Sequence, residues 1–134
     1  MLLTRTDKLI NYRLVTRSNV IQENELLSKN IREFYNEGNN SLTRKSYNSA
    51  ASLFFKALAV LADWYILSKE GFIPKSHSDR FRILQEKYHN VYLMLDKDFP
   101  TYQKSYSISV SKEEVEVLKH DVETIAEETE FKLD

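Results

Sequence analysis

Three histidines, at positions 77, 89 and 120, are the side chains best suited to move protons near neutral pH. None stands in an HExxH pair, and the chain has no cysteine. Neither a zinc site nor a thiolate nucleophile is therefore expected, and no cofactor is implied. His120 has Glu116 four residues before it and Glu123 three after, the spacing of a surface histidine in helical charge pairs. His77 sits at the start of a helical pattern, where capping or closing a packed end is the first expectation and ligand contact the second. Arg82 and His89 are the one pair suited to catalysis. Seven residues of continuous helix would set them ~10.5 Å apart along the axis and within about 20° around it. A cation to hold phosphate and an imidazole to move a proton suit metal-independent RNA cleavage, in which a ribose 2′-hydroxyl attacks the adjacent phosphate. The same spacing recurs by chance, so a structural role for both residues is the plainer expectation.

Binding without catalysis draws on more residues. Lys75, Arg80, Arg82 and Lys87 crowd one helical segment, with Tyr88, Tyr92, Tyr102 and Tyr106 close in sequence. Cations beside stacking rings suit single-stranded RNA. Tyr88 and Tyr92 fall on an apolar stripe, however, where rings pack inward and only the hydroxyl reaches water. The candidate ligand contacts are Lys56, Asp63, His77, Arg80, Tyr102 and Tyr106.

The elements that must position these residues are helices. Two glycines and two prolines in 134 residues are too few for the frequent turns of a β-sandwich or barrel. Gly38 and Gly71 stand alone, so no glycine-rich phosphate loop exists. Four main helices follow from the apolar periodicity, giving one all-α domain, an antiparallel bundle of four to five helices. The first runs from Ser18 or Asn19, with Gln22 closing a box on Asn19, to Glu37, and Gly38 stops it. Val20, Leu27, Ile31, Phe34 and Tyr35 form its stripe. A loop over residues 37–43 leads to a second helix from Thr43 to Glu70, ended by Gly71 and Pro74. A third spans Ser76 or Ser78 to Leu95 and carries Phe81, Leu84, Tyr88, Val91, Tyr92 and Leu95 within about 100° of arc. Residues 96–109 break at Pro100, and the last helix opens with a box from Ser111 to Glu114 and buries Val115, Leu118, Val122, Ile125 and Ala126.

The second helix is unusual: 15 of the 18 residues from Ala50 to Leu67 are apolar. Lys45, Ser52, Lys56, Asp63 and Glu70 project within about 40° of one another, as one wet edge. Two charges inside the run argue against a membrane span and for the central helix of a bundle, with Leu53, Phe54, Leu58 and Leu61 buried. Surplus apolar surface on this helix leads to the expectation of a homodimer. The rival is a fold-back of residues 1–17, a lead-in helix or arm whose Leu2, Leu3, Leu9, Ile10, Tyr12, Leu14 and Val15 would complete the burial. That segment lacks the apolar core of a signal peptide, and a cytoplasmic location is expected. Charge is split: Met1 to Val110 carries 16 basic and 11 acidic residues, and Ser111 to Asp134 carries 3 and 9. The plain reading is an acidic helix solvated on its outer face.

The order of these pieces resembles the HEPN domain (higher eukaryote and prokaryote nucleotide-binding) in its small prokaryotic and archaeal form. The resemblance lies in Tyr47-Asn-Ser-Ala-Ala-Ser-Leu-Phe-Phe-Lys-Ala-Leu-Ala-Val-Leu-Ala-Asp63, in Gly71-Phe-Ile-Pro-Lys-Ser-His77, in Tyr102-Gln-Lys-Ser-Tyr106 and in the helix opened by Ser111-Lys-Glu-Glu. It spans about residues 20–130. It implies a four- or five-helix bundle, frequent homodimers, and roles around RNA or nucleotides, including toxin ribonucleases partnered by a nucleotidyltransferase-like protein. Active members carry an arginine, usually followed by a polar residue, and then a histidine after four to six intervening residues. Arg82-Ile-Leu-Gln-Glu-Lys-Tyr-His89 meets that count, but Ile83 replaces the polar residue, and Lys104 stands where relatives often carry arginine. The resemblance thus implies a catalytically degenerate binding member, with a metal-independent ribonuclease as the alternative.

Overall fold

A helix that is apolar around most of its circumference must be surrounded, and the chain is arranged to do so. The computed structural model describes the backbone from Arg5 and the side chains from Asn19 to Asp134. Five helices and no strand make up the described residues: α1 (Arg5–Thr43), α2 (Tyr47–Glu70), α3 (His77–Lys87), α4 (His89–Lys104) and α5 (Lys112–Glu128). The all-α bundle is as the sequence predicts. α2 lies against α1 along its length and also against α5 and α4. By length and composition α2 could cross a membrane, yet 67 % of its most apolar window is buried inside the bundle. Phe54, Phe55, Leu58, Leu61 and Ile66 are essentially inaccessible. The surplus apolar face of α2 is therefore covered within one chain. Leu53 is only half-buried, because it borders an open cleft.

The first helix neither begins nor ends where the sequence predicts. Asn19 and Gln22 are inside α1, not at a cap, and the helix continues through Gly38 to Thr43. Gly38 acts by size: a Cβ at this position would lie 2.8 Å from two ring carbons of Phe54. The missing side chain is what lets α1 and α2 approach at that level. The residues predicted as a loop, 37–43, are thus helical, and the turn falls at Arg44–Ser46. Lys45 adopts φ 63° there, and the amide of Ser46 donates to the Ser41 carbonyl at 2.8 Å. The backbone of residues 5–17 continues α1. Whether the apolar side chains of residues 1–17 complete the burial lies outside the described residues.

Gly71 ends α2 as predicted, at φ 86° with its amide on the Leu67 carbonyl. The predicted third helix is divided. At Tyr88 the backbone turns to φ −132°, ψ 68°, and α4 starts anew at His89. Tertiary contacts hold Tyr88 there: its ring packs edge-on against Tyr65, with centroids 5.1 Å apart, and its hydroxyl donates to Glu70 at 3.0 Å. Pro100 lies inside α4 on an exposed position, so the helix passes through the expected break. The Ser111–Glu114 capping box is present in full, and all five predicted core positions of α5 are buried.

Gly38→Ala tests the close approach. Alanine favours helix by about 1 kcal/mol over glycine, but overpacking against a fixed ring costs about 1–3 kcal/mol. The expected result is a net loss of stability in urea unfolding, deeper for Gly38→Val.

Candidate functional site

The polar edge of α2 is not a solvated stripe. Lys56 is exposed, but seven residues on, Asp63 is buried. A carboxylate in that position needs a partner with matching geometry. Arg80 of α3 supplies it: Nε lies 2.7 Å from Oδ1 and Nη2 2.8 Å from Oδ2. The remaining terminal nitrogen, Nη1, lies 2.6 Å from His77 Nδ1. A guanidinium only donates, so Nδ1 must accept, which fixes the imidazole as the neutral form with its proton on Nε2. Burial pulls the His77 pKa below the ordinary imidazole range, the Arg80 charge lowers it further, and Asp63 partly opposes. Asp63, Arg80 and His77 thus form one hydrogen-bonded chain from the core to the surface.

An aromatic row continues from this chain along α4. Phe99 lies 6.3 Å from the His77 ring, 5.7 Å from Phe81 and 5.8 Å from Phe55. Tyr102 stacks on Phe55 at 4.6 Å with the ring planes 20° apart. Its hydroxyl meets that of Tyr106 at 2.5 Å; burial and this bond push the Tyr102 pKa up to about 12. Tyr106 is 71 % exposed and borders an open cleft of about 380 Å³, together with Asn48, Ser49, Ser52, Leu53 and Ser105. Ser49, Ser52, Lys56 and Asp63 lie within about 60° on α2, so one strip of roughly 20 Å joins the cleft to the His77 chain. No carboxylate pairs with Lys56 among the described residues.

Of the candidate contacts, the structure therefore gathers Asp63, Arg80 and His77 into one network and links Tyr102 and Tyr106 to it through Phe99. Each nitrogen of Arg80 is engaged inside this network. Arg82 and His89 are not brought together as one helical pair, because the helix breaks between them. Arg82 Nη2 lies 2.6 Å from Asp79 and Nη1 3.5 Å from Glu86, and the Asp79 bond raises its pKa further. His89 stacks on Tyr92 at 5.8 Å. Three of the four basic residues around the third predicted helix are paired, Arg80 and Arg82 as above and Lys87 with Glu70 at 2.9 Å. His120 is exposed and stands 4.0 Å from Asp121. Its predicted partners are engaged elsewhere, Glu116 with Lys112 and Glu123 with the Tyr35 hydroxyl.

Two features escape a reading by residue type. Asn48 donates to the carbonyls of Ser105 and Ile108 at 2.9 and 2.7 Å and accepts from the amide of Val110 at 2.9 Å. It pins the α4–α5 loop that carries Tyr106. Asp98 and Asp121 are buried side chains on the core faces of α4 and α5. The signal for them was available: each occupies an apolar-row position, Asp98 between Leu95 and Tyr102, Asp121 between Leu118 and Ile125. No group of three or more metal-ligating side chains exists among the described residues.

In Arg80→Met, loss of the guanidinium charge should raise the His77 pKa from its depressed value toward that of free imidazole, read by NMR titration of its ring proton. The same variant strands the Asp63 carboxylate and should cost about 3–5 kcal/mol in urea unfolding, much of it recovered by adding Asp63→Asn. Set beside family models, curated proteins and solved structures, the chain matches none of them.

Proposed function

We propose that the chain is a HEPN-like helical binding module without catalytic activity, taking a nucleotide or the end of a single-stranded RNA, in the cytoplasm. The observation that carries this reading is an exposed ring, Tyr106, bordering a hydroxyl-lined cleft, with an exposed cation, Lys56, one helical turn beyond the cleft residue Ser52 on α2. A base stacks on the phenol, a phosphate meets the ammonium, and Ser49 and Ser52 offer hydrogen bonds to a ribose or phosphate oxygen. Catalysis draws no support from the histidines with the best-suited neighbours. His77 has its Nδ1 lone pair committed to Arg80, and His89 is separated from Arg82 by the Tyr88 break.

A two-fold homodimer belongs to the same proposal. Its support is no longer α2 but the large apolar side chains that stay exposed on α1, Ile21 and Leu26. Light scattering that gives only the 15.8 kDa chain mass at all concentrations removes the dimer and leaves the binding reading standing. The resemblance would give such a module a nucleotidyltransferase-like partner protein.

Binding is tested by fluorescence anisotropy with a labelled single-stranded RNA. Tyr106→Ala and Lys56→Glu should each weaken it by about tenfold, from the ~1–3 kcal/mol attached to one stacked base and from a lost phosphate contact. An affinity that neither variant changes overturns the site. In EDTA, the RNA should stay intact with wild type and His89→Ala alike. Cleavage that falls by ~10² or more in folded His89→Ala would establish a ribonuclease instead.

A further inference from the structure

The interface between α4 and α5 contains an imbalance that the binding reading does not use. Asp98 is 3 % exposed and Asp121 4 %, and Oδ2 of Asp98 is buried without a hydrogen-bond donor. One cation serves both carboxyls: Lys97 Nζ is 2.8 Å from Asp121 and 3.9 Å from Asp98. Its pKa is raised by the bond to Asp121, so Lys97 stays charged and cannot be the source of a switch. From α4 the group facing Asp98 is Lys97, from α5 it is Asp121, and no other charge acts on it among the described residues. His120 reaches Asp121 only at 4.0 Å from an exposed position. Two buried carboxylates with one ammonium leave a net negative charge in a site closed to water, and a proton is the group small enough to remove it.

We infer that α4 and α5 are held by a shared-proton clasp, in which the Asp98 carboxyl donates its proton to Asp121, and that loss of this proton loosens the α4–α5 interface. The bond is broken when hydroxide or buffer base takes the proton, leaving Asp98 as a carboxylate beside the carboxylate of Asp121. Burial, the hydrogen bond to Asp121 and its negative charge push the Asp98 pKa up to about 8. The sign follows: the native group binds its proton more tightly than the unfolded one. Its stabilising contribution is full below the ordinary carboxylate range and is lost as pH rises toward 8. The clasp lies next to Phe99, the ring shared by His77, Phe81, Phe55 and Tyr102. Opening it therefore reaches the aromatic row whatever ligand that row takes, and the inference does not rest on the RNA reading.

The direct test needs no variant: a carbon-13 NMR titration of the side-chain carboxyls in the wild-type chain. A midpoint of 6.5 or above for Asp98 or Asp121, or for the pair as one coupled step, supports the clasp, and midpoints below that for both overturn it. Hydrogen exchange, corrected for intrinsic pH dependence, then reads the seam. Between pH 6 and pH 9 the opening of α4 amides should increase more than tenfold, on the order of a hundredfold where opening fully solvates Asp98. Asp98→Asn keeps the shape and should flatten that rise. A rise of equal slope in folded Asp98→Asn, or no rise in wild type, overturns the proposal.

Discussion

Everything in this fold follows from the need to surround α2. Its side chains are apolar on nearly every side, and each large one fully buried contributes about 1.5–3 kcal/mol relative to exposure. One neighbour cannot cover such a surface, so α1, α4 and α5 each take a part of it. Small residues set how closely they come. Ala50, Ala51, Ala57, Ala59 and Ala62 are all buried on α2, leaving hollows into which neighbouring side chains fit, and Gly38 on α1 makes the matching hollow for the Phe54 ring. Small against large across facing positions is how a core reaches native density without forcing rotamers.

The same enclosure sets the terms for every polar group it traps. Asp63 and Asp98 are both carboxyls in a nearly dry interior, yet they are neutralised by different means. Asp63 meets a guanidinium that matches both oxygens, so the charge survives and is paired. Asp98 has only a share of Lys97, whose shorter contact goes to Asp121, so it keeps a proton. The first pair needs no proton, and the second holds one that burial and Asp121 retain up to about pH 8. The difference lies in the number of cations the packing delivers to each carboxyl.

Much of this was legible in the sequence, and the failures have physical causes. Periodicity sufficed for α2 and α5, whose stripes are long and whose ends carry Gly71 and the Ser111 box. Gly38 misled because glycine ends helices by adopting left-handed backbone, whereas here its lack of a side chain is what matters. The break at Tyr88 was invisible because the apolar repeat runs through it unchanged; the cause is a contact with Tyr65 and Glu70, about 20 residues earlier in the chain. Among the candidate residues, Asp63, Arg80, His77, Tyr102 and Tyr106 could be named by type and face. Their pairing could not, since Asp63 and Arg80 lie on different helices whose relative rotation no local pattern encodes. Arg82 and His89 lie on different helices for the same reason, their spacing presupposing a continuous helix that tertiary contacts interrupt.

Rigidity is distributed unevenly along the aromatic row, and this bears on where recognition resides. At one end the Asp63, Arg80 and His77 chain is cross-linked by three short hydrogen bonds between its own members, and His77 Nε2 takes no part in them. At the other, Tyr106 stands in a loop, yet that loop is closed at both ends. Asn48 holds it with three hydrogen bonds, and Lys104 binds both oxygens of Glu114 at 2.9 and 3.1 Å while Glu114 also accepts from the Ser111 amide. Lys104 is thereby occupied in joining the end of α4 to the capping box of α5, and it is withdrawn from any ligand. Lys56, one turn beyond Ser52 on α2, has no carboxylate partner among the described residues. Under the proposed binding reading, the loop-held ring would order a ligand's planar part before Lys56 meets its charge, because the ring is the part held in place before binding.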